Sequence, residues 1–345
     1  MRRFFNFLLV VPGILIATHV QGQSFSKLPG SMTPGRKDTI IQFRDTDQET
    51  YMPLTIIKGK SQGPVFTIIA GIHGYEYPPI VAVQELLNDI SIDKLKGTLI
   101  IIPIANVAAF YQRTPFLNPL DKKNLNNAFP GSASGTITEQ LAYWITQNII
   151  PSSEVLLDIH GGDANEDLLP FICYYDRKDA TIQTVKARQL SKASGMGIIV
   201  SYPYTISPSE PAKYAFKQAV QDGITAVSIE AGKLGNVQAE NVSMIKEAVY
   251  RMISFMNMYP LEQTRFTGKP MFFTQQAYIK VPESGLFKSP FKAGDQVTKN
   301  EVVGTITDEF GKTVATILAP ENGIILYKTG TPPVNKGETL FCIGY

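Results

Sequence analysis

The sequence predicts an α/β protein with a mixed, largely parallel sheet flanked by helices, followed by a small all-β unit. Three observations predict it. Short β-branched runs alternate with helical patterns between residues 65 and 258, the sign of strand-helix units around a parallel sheet. After about residue 260 helical periodicity disappears and Gly and Pro punctuate short apolar runs, as in small all-β folds. The chain has 345 residues, 44% of them hydrophobic, which exceeds the size at which one core keeps growing, so two units are expected.

The first element is a leader, placed at residues 1–22. Arg2 and Arg3 precede an apolar stretch from Phe4 to Ala17, and small and polar residues lead to Gln23, the layout of a signal peptide. Its apolar core of 14 residues falls short of the roughly 20 a membrane-spanning helix needs. A cleaved export signal is therefore favoured over an anchor, leaving a periplasmic or secreted protein with no membrane attachment. Arg2-Arg3-Phe4-Phe5 touches the twin-arginine pattern, although paired arginines are common in ordinary leaders. No cysteine follows the leader to carry a lipid. The formal net charge of +2 includes those two arginines, so the mature chain is balanced and offers no basic footprint for nucleic acid.

Residues 23–262 form the expected catalytic unit. Residues 39–43 and 51–58 predict an antiparallel edge pair, separated by a turn-rich link at Asp45 to Asp47. Further strands are expected at 65–70, 98–102, 155–158, 197–201 and 224–229, and helices at 78–89, 137–149, 181–193, 212–221 and 238–258. The loops at 131–135 and 202–209 are rich in Gly or Pro and either border a pocket or serve as connections. Residues 263–345 form the β unit. Its turns, such as Lys292-Ala293-Gly294-Asp295 and Ala319-Pro320-Glu321-Asn322-Gly323, resemble the barrel-sandwich hybrid of biotinyl and lipoyl carriers. That resemblance puts Lys312 at the carrier position, seven residues before Ala319. Lys312 lacks the flanking methionines, however, and reads as a solvated turn lysine in a structural module. The two cysteines, Cys173 and Cys342, either pair after export or stay as buried thiols.

The chemistry resides in the histidines. Beyond the leader, which holds His19, only His73 and His160 remain. His73 stands in Gly71-Ile72-His73-Gly74-Tyr75-Glu76 and His160 in Leu157-Asp158-Ile159-His160-Gly161-Gly162, each directly after a strand-like run. Two His and one Glu form a known catalytic zinc set that leaves one position open. His73, Glu76 and His160 supply such a set for one zinc per chain, at the carboxyl ends of strands where open α/β sheets bind ligands. Alone, an H-x-x-E step arises often by chance and a single His is more often structural; the pairing of the two motifs at strand ends raises the reading. Glu230 ends the apolar run Ala226-Val227-Ser228-Ile229-Glu230, where a carboxylate is costly to bury without a polar or metallic partner. It is the candidate general base, or else a capping or surface residue. Asp158, two residues before His160, is placed to support a ligand histidine or to cap the next loop.

Together, Gly-x-His-Gly-x-Glu, the arginine in Tyr111-Gln112-Arg113, the segment Asn124-Leu125-Asn126-Asn127-Ala128-Phe129-Pro130-Gly131, Asp158-x-His160 and Glu230-x-Gly232 resemble the succinylglutamate desuccinylase and aspartoacylase family, relatives of zinc carboxypeptidases. The resemblance spans roughly residues 65–258 and implies a zinc-carboxypeptidase-like fold. It also implies zinc on His73, Glu76 and His160, Glu230 as catalytic carboxylate, and Arg113 as the cation that polarises the scissile carbonyl. Asn126 and Asn127 fall on the family's substrate-carboxylate clamp, where an arginine usually stands at position 127. An amide cannot replace the charge and bidentate fork of arginine, so the grip on a substrate carboxylate is weakened unless Lys122 or Lys123 compensates. The expected activity is zinc-dependent hydrolysis of a carbon-nitrogen amide bond in an N-acyl amino acid or related small amide. A metallocarboxypeptidase on short or cell-wall peptides, and a non-catalytic periplasmic binding protein on the same fold, are the alternatives.

Overall fold

The computed structural model describes residues 31–261 and 268–345. The leader at 1–22 and the expected unit boundary at 262/263 both lie outside those residues. The larger unit is organised by a nine-stranded sheet in the order β1-β2-β4-β3-β5-β9-β7-β8-β10. Its strands are β1 (Gly35–Arg44), β2 (Glu49–Lys58), β3 (Ser61–Ala70), β4 (Lys96–Ile102), β5 (Val155–His160), β7 (Phe171–Asp176), β8 (Ile198–Pro203), β9 (Thr225–Glu230) and β10 (Met271–Phe273). β1, β2 and β4 pair antiparallel, whereas β4, β3, β5 and β9 run parallel through the centre. This is the α/β arrangement the sequence predicts, with the edge hairpin where residues 39–58 place it.

Period-two alternation distributes the core over both faces of the sheet. Ile68 and Ala70 of β3 point into one apolar layer with Leu157 of β5 and Val227 of β9. Ile69 of β3 joins Ile100 and Leu156 in the other. Helices α1 (Tyr77–Asp89), α4 (Thr181–Ala193) and α6 (Ala239–Phe255) cover the first layer through Val83, Leu86, Leu190, Ile245 and Met252. Helices α3 (Ile137–Trp144) and α5 (Ala215–Gln221) cover the second, and the short α2 (Val107–Gln112) follows β4. Among the described residues no helix is long and apolar enough to cross a membrane.

Several elements differ from the sequence reading, among them the short helix α2 and strands β6 (Glu166–Leu168) and β10, which it did not place. The helix expected at 137–149 is α-helical only to Trp144, then widens to a π turn over Ile145–Ile149 and tightens at Ile150–Ser152, where Pro151 cannot donate to the ladder. The helix expected from 212 begins at Ala215, because Lys213 takes a left-handed φ of 73° and exchanges backbone hydrogen bonds with Phe129. Strand β7 escaped notice, since Phe171-Ile172-Cys173-Tyr174-Tyr175 is apolar throughout and carries no alternation. It lies antiparallel to β9 and parallel to β8.

The β unit folds as two small sheets around its own core of Val281, Phe287, Val303, Ile306, Ile325 and Leu340. One contains β11 (Gln276–Lys280), β13 (Gln296–Val297), β16 (Gly323–Thr329) and β18 (Thr339–Gly344), and the other β12 (Gly285–Lys288), β14 (Val302–Thr307), β15 (Thr313–Leu318) and β17 (Pro333–Val334). Lys312 sits in the β14–β15 turn, its backbone amide bonded to Asp308. The units exchange strands: β10 joins the large sheet on β8, and β6 (Glu166–Leu168), from the first unit, pairs antiparallel with β16. Cys173 and Cys342 are both buried and free.

Close backbone approaches fix the strand ends. A Cβ on Gly161 would lie 2.5 Å from the carbonyl oxygen of Ala231, and Ala231 N–H donates to His160 O at 2.9 Å. The Gly161→Ala substitution is therefore expected to force the ends of β5 and β9 apart and to lower stability by about 1–3 kcal/mol. Denaturant unfolding measures it; an unchanged midpoint would contradict the tight approach.

Candidate active site

The centre is assembled at the carboxyl ends of three neighbouring strands, β3, β5 and β9. Gly71 leaves β3 with φ of 67°, a left-handed turn that glycine adopts without strain. The turn swings His73 and Glu76 over the sheet edge just before α1, whose first turn holds Pro78 and Pro79. Gly74 presses on α2: a Cβ there would meet Ala109 O at 2.2 Å and Thr114 O at 2.5 Å. His160 is the last residue of β5 and stands in register with Glu230, the last of β9. Parallel pairing thus delivers an imidazole and a carboxylate side by side.

Glu76 lies between the two histidines. Its Oε1 is 2.5 Å from His73 Nδ1 and its Oε2 is 3.0 Å from His160 Nδ1. The three residues are buried, and their ligand-type atoms lie within 4.8 Å of one another. On the far side of His73, Nε2 is 3.2 Å from Asn124 Oδ1, which also accepts the Asn126 N–H at 2.8 Å. That second bond identifies Oδ1 as an acceptor, so His73 Nε2 carries a proton, and in the neutral ring the Nδ1 lone pair faces the Glu76 carboxylate. Two acceptors at that separation require a proton or a cation between them. The donor set of two imidazole nitrogens and a carboxylate oxygen suits zinc.

The charges around this group reinforce one another. Burial opposes ionisation of Glu76, but His73 and His160 outweigh it and bring the carboxyl down to about 2. Burial likewise opposes charge on His160, yet Asp158 and Glu76 prevail and raise it well above the usual imidazole range. For half-buried Glu230, desolvation dominates: it pushes the carboxyl up to about 8, with Glu76 and Asp158 reinforcing and His160 opposing.

The structure therefore brings His73, Glu76, His160, Asp158 and Glu230 together. Asp158 lies where the sequence places it, its Oδ1 3.2 Å from His160 Nε2 in an ion-pair contact, although neither atom has a hydrogen-bond partner. Arg113 occupies the left-handed cap of α2, directly before the Thr114 carbonyl that abuts Gly74. It is exposed, and among the described residues neither hydrogen bond nor ion pair engages its guanidinium. Asn126 keeps a buried Oδ1 without a partner, and Asn127 is exposed; neither bonds to the centre. Sequence reasoning missed Asn124, which orients His73, and Phe116, whose ring stands edge-on to His73 with centroids 5.4 Å apart. Asn124 lay in the very segment singled out, two positions before Asn126. The loops at 131–135 and 202–209 make no contact with the centre among the hydrogen bonds and ring contacts observed.

Residues 62–256 match the succinylglutamate desuccinylase/aspartoacylase catalytic domain, and the chain belongs to that family of amide-bond deacylases. The N-α-acetyl-L-2,4-diaminobutyric acid deacetylase of Halomonas elongata is 29% identical, over 92% of this chain and 97% of the deacetylase. Two solved structures are similar in fold. The succinylglutamate desuccinylase/aspartoacylase from Rhodobacter sphaeroides has a TM-score of 0.79 at 22% identity, covering 90% of this chain and 96% of its own. The product-bound ectoine utilization protein EutE (DoeB) from Ruegeria pomeroyi has a TM-score of 0.81 at 22% identity, covering 91% of this chain and 96% of its own.

The raised groups fix how metal-free stability depends on pH. Between its unfolded value near 4.5 and its folded value of about 8, Glu230 holds a proton in the folded state that the unfolded chain lacks, so stability falls as pH rises through that window. His160, also raised, acts in the same sense above about 6.5. Metal ligands must shed such protons. The zinc-induced rise in melting temperature is therefore expected to grow from pH 5 to pH 9. Thermal melts with and without zinc measure it, and a rise independent of pH would contradict the assignment.

Proposed function

We propose that the protein is an exported, zinc-dependent deacylase that hydrolyses the amide bond of an N-acyl amino acid or a closely related small amide. The observation that carries this reading is the register of His160 with Glu230. It sets a carboxylate of raised proton affinity beside a buried His-Glu-His group. His73, Glu76 and His160 hold the ion, and zinc bound there would supply Lewis acidity for the attacking water and the scissile carbonyl.

The chain's own residues do the rest. Glu230 takes the proton of the attacking water and returns it to the departing nitrogen, so that an amine leaves rather than an amide anion. A carboxyl poised near neutral pH suits both halves of that transfer. Arg113, exposed and without an ion-pair partner among the described residues, is assigned to stabilise the oxyanion that develops on the carbonyl. Asn124 fixes the orientation of His73, and Asn126, with its unpaired buried oxygen, accepts a donor from the substrate. The neutral Asn127 deprives the site of a bidentate carboxylate clamp, which weakens its grip on any substrate carboxylate. The Halomonas deacetylase supports an acetylated amino acid as the substrate class. The leader pattern supports action in the periplasm or outside the cell.

Replacing Glu230 by Gln tests the assignment. Amide hydrolysis is expected to fall by about 100- to 10 000-fold while roughly one zinc per chain is retained. Initial rates on N-acetyl amino acids and metal analysis of the same sample provide the readouts. Undiminished hydrolysis in the variant would overturn Glu230 as the base.

A further inference from the structure

The segment that follows α2 brings apolar surface against His73. Its fold is braced at several points. Thr114 N–H donates to Ala109 O at 3.0 Å, and the Thr114 hydroxyl donates to Leu117 O at 2.6 Å. Leu117 and Asn124 pair as an antiparallel bridge, within which Asn118 N–H donates to Lys123 O at 2.8 Å. Asp121, at the far end of the turn, accepts from the Thr138 N–H at 2.8 Å and from the Thr138 hydroxyl at 2.7 Å, which ties the turn to α3. The outgoing side of this turn sets the Phe116 ring edge-on to His73 with centroids 5.4 Å apart, and the returning side sets Asn124 against His73 Nε2.

Phe116 and Leu117 are each 45% exposed, whereas His73 beneath the Phe116 ring is buried. Neither side chain packs into any of the apolar cores among the described residues. The bracing of the turn therefore holds two adjacent hydrophobic side chains in water at the edge of the catalytic centre. Scattered apolar residues are common on protein surfaces, but this pair is joined to a buried histidine of the centre by a ring contact. Apolar surface so placed is covered favourably when a bound molecule displaces its water. Charge does not supply the grip instead: of the two lysines that could replace the missing arginine at position 127, Lys123 is engaged by Glu139 at 2.7 Å.

We infer that Phe116 and Leu117 form a wall of the substrate site that receives a hydrocarbon chain of the substrate, so that chain length on the amide sets the preference. The inference rests on the deacylase reading for the reaction, but not for the wall. The chain belongs either to the acyl group or to the amino-acid side chain, and both present the same chemistry to the Phe116 ring. Complete burial of one methylene is worth roughly fourfold in binding, and burial with one side left open to water roughly twofold.

Two series of amides test it with the full zinc-loaded protein. N-acetyl-, N-butanoyl- and N-hexanoylalanine lengthen the acyl group, and the N-acetyl derivatives of alanine, norvaline and 2-aminoheptanoate lengthen the side chain. In the wild type kcat/KM is expected to rise by roughly two- to fourfold per methylene along at least one series, which identifies the source of the chain. In Phe116→Ala that rise is expected to flatten toward unity while roughly one zinc per chain is retained. A wild type with no rise in either series overturns the wall. So does a variant that loses the same factor on every member, since Phe116 would then only support His73. Should Phe116→Ala lose zinc or fail to fold, Leu117→Ser replaces it: a flatter rise supports the wall, and an unchanged rise overturns it. If the wild type hydrolyses none of the amides, the deacylase reading fails, and calorimetric titration with acetate, butanoate and hexanoate judges the wall alone. Affinity that grows with chain length supports it, and equal or absent binding overturns it.

Discussion

The constraint on which the site depends is the shared carboxylate of Glu76. One buried carboxylate faces the Nδ1 atoms of two histidines, and on one side the tautomer is fixed from behind by Asn124. Acceptors so arranged repel one another unless something positive stands between them. Protonated histidine answers the charge but not the geometry of three donors converging on one point. A divalent ion answers both, and it explains why a chain with two histidines in its described residues buries both within one small group. Proton transfer must then come from elsewhere, and the carboxylate in register with His160 is in position for it.

The fold serves that constraint through parallel pairing. β3, β5 and β9 are consecutive in the sheet, so His160 and Glu230 meet at the ends of β5 and β9, and the turn after β3 brings His73 and Glu76 to them. Glycines permit the contacts. Gly161 and Gly162 let the backbone after β5 lie against the backbone after β9, and Gly232 turns with φ of 111° where a Cβ would strike Pro78. The β unit is tied to this region by the pairing of β16 with β6, in the segment that leaves His160.

Much of this was legible in the sequence, for identifiable reasons. The metal group could be read because its ligands are rare residues placed directly after apolar runs, and Glu230 because a charge at the end of such a run is costly. Strands at 65–70, 98–102 and 224–229 followed from their short β-branched runs. Other features left no such trace. β7 is buried on both faces and shows no alternation, the onset of α5 is set by a left-handed Lys213 bonded to distant Phe129, and the exchange of β6 and β10 between sheets depends on tertiary pairing. Asn124 escaped because an asparagine two residues from another has no local signal for facing a histidine 51 positions earlier. Cys173 and Cys342, for which pairing or burial as thiols stood open, are free and buried.

Without an arginine at position 127, the proposed site has no bidentate clamp for a substrate carboxylate. All of this presupposes the ion. Anomalous X-ray diffraction at the zinc absorption edge, from crystals of the chain purified without chelator and supplied with zinc, measures that directly. One peak per chain, lying between His73 Nδ1, His160 Nδ1 and the Glu76 carboxylate, is the result this account predicts. Fully ordered side chains with no peak there, or a peak held by other residues, would contradict it.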